Sequence, residues 1–353
     1  MLKKTAYALF AAVASFSLAG AVDSASAEEV VFAGGYGGIF DDLLYKEVIP
    51  AFEKQTGIKV KLVSGSGLGM FTQILASRNN PEIDVYWASE LTHAGGKALG
   101  VYEKLDPKVV SNLSNVQTMA LDPDGVGVTA FISALGLMYN KKAFDDAGIP
   151  APASWKDLWD PRLKSKVALL SIGITFTPDF LAMTNRLEGG DENDVSKGIA
   201  KIAELKAIGN VGLIANSPSE SENALMQGSA WVTYGQSNRA YVLKSTGSPL
   251  EFVLPKEGGT MYSTKLDIVK GAPNPEAAQK FVNFFISPEV QAILAKRLAV
   301  APAVRNVEMP PELVGKIPHT EEDLSKLVQL DRTLMNQNLD GWTDAWNREI
   351  EAR

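Results

Sequence analysis

The sequence predicts an α/β protein of two lobes with mixed, mainly parallel sheets flanked by helices. Three observations carry this expectation. β-Branched and aromatic runs alternate with amphipathic segments of helical period. Their spacing is that of right-handed βαβ crossovers. A second block of the same kind follows the first with no linker or low-complexity stretch between them. Two blocks without a linker imply lobes joined by two crossing strands as a hinge, expected near residues 126–138 and 258–270.

The first strand is expected at 30–33, ending in Gly34-Gly35-Tyr36-Gly37-Gly38. Phe40, Leu43, Leu44, Val48 and Phe52 then share one helix face, with Gly57 as the stop and Pro50 expected to bend the helix or end it early. Ile58, Val60 and Leu62 alternate with Lys59 and Lys61, a half-buried strand closed by Ser64-Gly65-Ser66-Gly67. Residues 70–78 read as a helix, 83–87 as a strand and 91–100 as a helix. In the second block helices are expected at 141–147, 155–159, 178–187 and 195–207, and strands at 167–170, 211–214 and 230–234. Residues 262–269 read as a strand, followed by helices at 275–286 and 289–296. The tail carries amphipathic stretches at 321–336 and 342–351. Trp155 and Trp159, and Trp342 and Trp346, lie four residues apart and read as core packing. One lobe is expected to hold residues 28–130 and 262–305, the other 131–261 and 306–353, with the C-terminal helices able to pack across both.

Residues 1–27 read as a secretory signal peptide. Lys3 and Lys4 precede an apolar run, and Ala25-Ser26-Ala27 forms a small-x-small cleavage site before Glu28. The chain has no cysteine, so it has no disulfide, no thiol nucleophile and no site for a lipid tether. A soluble protein retained without a tether points to a periplasm. The formal net charge of −7 argues against nucleic acid or an anionic membrane as partner, since both are bound through basic surface. No segment after the leader is apolar enough for membrane insertion.

Five motifs follow one another along the chain: Phe52-Glu53-Lys54-Gln55-Thr56-Gly57-Ile58-Lys59-Val60, Asp84-Val85 with Ser89, Ser154-Trp155-Lys156-Asp157-Leu158-Trp159, Leu254-Pro255-Lys256-Glu257-Gly258-Gly259, and the helix at 277–287. In this order they resemble those of periplasmic solute-binding proteins of ABC importers, in the group of spermidine/putrescine, ferric-iron, thiamine and aminophosphonate binders. The resemblance covers nearly all of residues 28–353. It implies a type II periplasmic binding protein fold that closes on a small-molecule ligand between its lobes and docks, as a monomer, on permease subunits in the inner membrane.

Against that frame the candidate ligand residues follow. Tyr36 and Gly37 end the first strand, where a bare backbone admits a ligand or simply makes a tight turn. Ser64 and Ser66 offer hydroxyls to an anion, with helix capping as the alternative for Ser66. Ser89 matches a family position that hydrogen-bonds ligand, and Glu90 beside it suits an ammonium or a solvated loop. Ser171 and Thr175 belong to an uncharged segment where polyamine binders carry acids. Tyr234, Gln236 and Arg239 follow the strand at 230–234, with Arg239 either a bidentate anion clamp or a surface arginine. Tyr262 falls where polyamine binders have a cleft Trp, and Thr264 replaces their ammonium-binding Asp. Desolvating a polyamine without carboxylates is costly, so these departures favour an anionic or zwitterionic solute such as an opine, amino-acid derivative or aminophosphonate, with a polyamine as the alternative.

Ferric binding needs converging tyrosinates, and no two tyrosines are adjacent, while His93 and His319 are the only histidines. No cofactor or resident metal is implied. An enzyme on this fold would need the missing cysteine or a triad on one of those histidines, and neither lies in a nucleophile elbow.

Overall fold

The computed structural model describes residues 28–352, so the leader and its cleavage site lie outside the described residues. Among the described residues eleven strands form one continuous sheet: β1 (Glu29–Gly35), β2 (Lys59–Ser64), β3 (Val85–Ser89), β4 (Tyr102–Glu103), β5 (Val128–Asn140), β6 (Val167–Leu170), β7 (Val211–Ala215), β8 (Val232–Gln236), β9 (Leu250–Val253), β10 (Thr260–Val269) and β11 (Ala301–Pro302). The main path runs β2-β1-β3-β10-β5-β8-β6-β7. β2-β1-β3 and β8-β6-β7 are parallel wings, whereas β10 and β5 run antiparallel to each other and to the wing strands beside them. These two are the crossing strands. All thirteen residues of β5 are buried, because its first half feeds one hydrophobic core with Phe131 and Ile132 and its second half another with Leu135 and Leu137.

Helices cover both wings: α1 (Ile39–Leu43), α2 (Ile49–Thr56), α3 (Gly67–Ala76), α4 (Glu90–Leu99), α5 (Lys141–Asp146), α6 (Thr177–Leu187), α7 (Ser196–Ala207), α8 (Pro218–Met226), α9 (Ser237–Ser245), α10 (Pro275–Phe285), α11 (Pro288–Leu298), α12 (Glu321–Ser325) and α13 (Arg332–Trp346). Among the described residues none is long and apolar enough to cross a membrane. Pro50 does not end the first helix. A π-helical turn, Leu44–Val48, runs unbroken from α1 into α2, and Pro50 follows it where the wider i→i+5 pattern gives way to the α pattern and absorbs the missing N–H. Gly57, at φ 75°, ends α2 as expected. α8 has no counterpart in the sequence reading, because its apolar residues are too few to show a helical period.

The tail departs most. Instead of one helix over 321–336, the chain breaks after α12 and runs extended beside the start of β10: the Val328 N–H donates to the Gly259 carbonyl at 2.8 Å, and the Met261 N–H to that of Val328 at 3.0 Å. Asp331 then caps α13, accepting from the Leu334 N–H at 2.9 Å. Met309, Leu313, Ile317, Leu324 and Leu327 join the first core, while Leu330, Met335, Trp342, Trp346 and Ile350 join the second. The tail therefore crosses between the cores at residues 328–330, and this places Arg332 over the junction. Trp155, Trp342 and Trp346 are core residues, as their spacing predicts, and Trp159 is half-buried against α7.

Candidate ligand-binding cleft

Where the wings meet, Ser89, Glu90, Thr175, Asp179, Tyr262 and Arg332 line one narrow cleft of about 10 Å³, which has to open before it admits a solute. Ser89 caps α4, accepting from the Thr92 N–H at 3.2 Å, which fixes Glu90 in the first turn. Glu90 accepts from the Ser263 hydroxyl at 2.5 Å and from Arg332 Nε at 2.6 Å. Arg332 also forks onto Asp179 of α6, with Nη2 2.8 Å from Oδ2 and Nη1 on Oδ1, and donates to the Met261 carbonyl at 3.1 Å. One guanidinium thus ties α4 of the first wing to α6 of the second across the hinge strand. Burial works against its charge, but Asp179 and Glu90 outweigh that and raise its pKa. Burial also lifts the Asp179 carboxyl above its ordinary range, against the pull of Arg332. Tyr262 sits beside these charges with its hydroxyl turned to Thr175 and Gln236, and burial raises its pKa.

Tyr36 lies at the end of β1. Its hydroxyl donates to the Trp87 carbonyl, its ring packs edge-on against Trp87 at 6.0 Å, and burial holds it neutral. Gly37 is exposed at φ 77° and donates to Asp41 Oδ1 at 2.8 Å. Ser64 reaches the other oxygen of Asp41 at 3.1 Å, so one carboxylate joins the two loops. Ser66 takes the capping role, accepting from the Gly69 N–H at 3.1 Å on an exposed turn. Ser171 is half-buried and extends the β6–β7 pairing through its N–H to the Ala215 carbonyl.

Two candidates are corrected. Tyr234 is a core residue at 1% exposure: strand alternation turns it into the second cluster, where it stacks on Phe180 at 4.1 Å and donates to Thr177 at 3.1 Å. Arg239 is a bidentate clamp already filled by its own chain, for Glu222 of α8 meets its Nε at 2.6 Å and also accepts from Nη2. The arginine that faces the cleft is Arg332, which sequence reasoning left inside a long helix. Asp179 was missed because the uncharged segment ends at Thr177, two residues before it. The Pro178-Asp179 pair opening a helix was the available signal.

Behind Glu90 the same α4 face carries His93, whose Nδ1 lies 2.8 Å from Asp267 and Nε2 3.3 Å from Asp122. Burial opposes its charge and Lys265 adds to that, but Asp267 and Asp122 prevail and hold its pKa above 6.5. A raised pKa means stability present below the unfolded value and lost as pH rises through the folded one. Urea melts from about pH 6 to about pH 9 are therefore expected to show wild-type stability falling, and His93→Gln showing a flatter profile across that window.

The family model of bacterial extracellular solute-binding proteins matches residues 47–319. The spermidine/putrescine-binding periplasmic protein of Salmonella typhimurium is 27% identical over 258 residues, 71% of this chain and 72% of that protein. A periplasmic protein of the same organism, provisionally named for binding 2-aminoethylphosphonate, is 27% identical over 278 residues, 75% of this chain and 76% of its own length. The spermidine/putrescine ABC transporter substrate-binding protein of Streptococcus pneumoniae superposes with a TM-score of 0.77 at 19% identity, over 92% of this chain and 98% of that one, which shows a shared fold. The family and these relatives are binding proteins rather than enzymes. The chain belongs to the bacterial extracellular solute-binding proteins and is the substrate-binding component of an ABC transporter.

Proposed function

We propose that the cleft carries a small zwitterionic organic solute, such as an aminophosphonate or amino-acid derivative. One observation supports this above others: Arg332 lies between Glu90 and Asp179. A purely anionic solute would stand beside two carboxylates, and a polyamine that replaced the guanidinium on them would leave that guanidinium unpaired. A zwitterion matches both signs, with its acid on Arg332 and its ammonium on the carboxylates. Ser89, Thr175 and Tyr262 supply neutral hydroxyls around it.

Closure would bend β5 and β10, bringing residues 28–130 and 262–327 onto residues 131–261 and 330–352. The closed monomer would then dock on permease subunits in the inner membrane. The leader, the absence of cysteine and the periplasmic relatives support a soluble periplasmic carrier, cut after Ala27.

Titration calorimetry on residues 28–353 tests the ligand class. 2-Aminoethylphosphonate or an α-amino acid is expected to bind, and Arg332→Gln to weaken it by about tenfold or more, or 1.4 kcal/mol. Spermidine binding that outlasts every zwitterion, and tightens in Arg332→Gln, would favour the polyamine reading that the two carboxylates also suit.

A further inference from the structure

A second cavity, of about 490 Å³, shares Glu90 and Arg332 with the cleft and extends between α4, the loop at 119–124, β10 and the chain at 329–333. Of β10, Met261 and Lys265 line it; Ser263 meets Glu90 and Asp267 meets His93 behind its wall, with Lys265 between them. Lys265 is 8% exposed and spends one hydrogen bond, 2.7 Å to the Thr129 hydroxyl.

Every other charge facing this chamber is paired. Glu90 is taken by Arg332 and Ser263. Asp122 holds Lys97 at 2.6 Å and His93 at 3.3 Å, and Asp124 holds Lys97 at 2.9 Å. Among the described residues Lys265 has no carboxylate within 4.0 Å, although an ammonium carries three donors. A buried cation with no carboxylate in contact is costly, and burial lowers the Lys265 pKa against the more distant pull of Glu90, Asp122 and Asp267. The remaining walls include Ala94, Ala98, Met119, Leu121 and Leu330, which give an apolar body something to lie against.

We propose that this chamber is a second binding site, for a small organic monoanion whose carboxylate pairs with Lys265 while its apolar body packs between Met119 and Leu330. It differs from the cleft in chemistry, since its ligand needs no ammonium, and from the cleft ligand's contacts with Tyr262 and Thr175.

Hexanoate is the probe, with hexanamide as its neutral twin and chloride at matched ionic strength as the control. Calorimetry on the wild type is expected to show hexanoate binding at least about tenfold tighter than hexanamide. Lys265→Met, which keeps the volume and removes the charge, should lose that preference, and Lys265→Gln should do the same. Tyr262→Ala should keep hexanoate binding while losing the zwitterion. No hexanoate binding to the wild type, equal binding of acid and amide, or full binding by Lys265→Met would each overturn the proposal. So would loss of hexanoate in Tyr262→Ala, because it would put the acid in the cleft. Should either lysine variant fail to fold, the acid-to-amide ratio on the wild type still decides.

Discussion

Arg332→Ala is expected to lower stability by about 3–5 kcal/mol, because it leaves Glu90 and Asp179 buried without their shared counter-charge. Burial already lifts Asp179 above its ordinary pKa while Arg332 is present, and Glu90 pushes it further in the same direction. Removing the guanidinium raises it again. A carboxyl whose folded pKa exceeds its unfolded one destabilises the protein above the folded pKa, and the penalty fades as pH falls towards the unfolded value. Chemical denaturation should therefore find the variant furthest below wild type at neutral pH and closer to it in mild acid. A deficit that stays constant across this range would mean that Arg332 acts through packing. Arg332→Lys should recover only part of the loss, since a point charge cannot hold the Asp179 fork and Glu90 together.

Trp87→Ala is the second large effect, at about 3–5 kcal/mol. The indole is fully buried and sits among Phe40 at 5.8 Å, Phe131 at 5.8 Å and Phe285 at 5.3 Å. Its Nε1 donates to Thr264 of the hinge strand at 2.7 Å, so the variant leaves both a cavity and an unmatched hydroxyl. Its ring also supports Tyr36, and ligand affinity should fall together with stability. Thermal melts and calorimetry on the same preparation test this. A variant that melts like wild type would show that the aromatic cluster repacks, and Trp87→Phe should cost less because it fills most of the space.

The strands and helices of the wings were legible because they depend on patterns within a few residues, and the crossing strands because two α/β blocks follow each other without a linker. β-Branched runs at 30–33 and 167–170 and the helix stop at Gly57 need no tertiary information. The site was legible in its first wing, where Ser89 and Glu90 follow a readable strand. It was not legible where tertiary contacts set the local structure. The tail pattern over 321–336 is helical in period, yet Val328 gives up that helix for two backbone hydrogen bonds beside β10. Only that break turns Arg332 towards Glu90 and Asp179. The same limit applies to Arg239, whose partner Glu222 lies on a helix that the pattern does not announce.

β10 lies between β3 and β5 in the sheet although it follows both in the chain, and Thr264 pairs with Ser89 on one side and Phe131 on the other. A polypeptide made from its N-terminus therefore has a gap in the middle of its sheet until residue 269 is available. Contacts this distant in sequence form slowly, so the first wing stays incomplete while most of the chain is synthesised. A precursor that folds late remains threadable, which would suit the export proposed above.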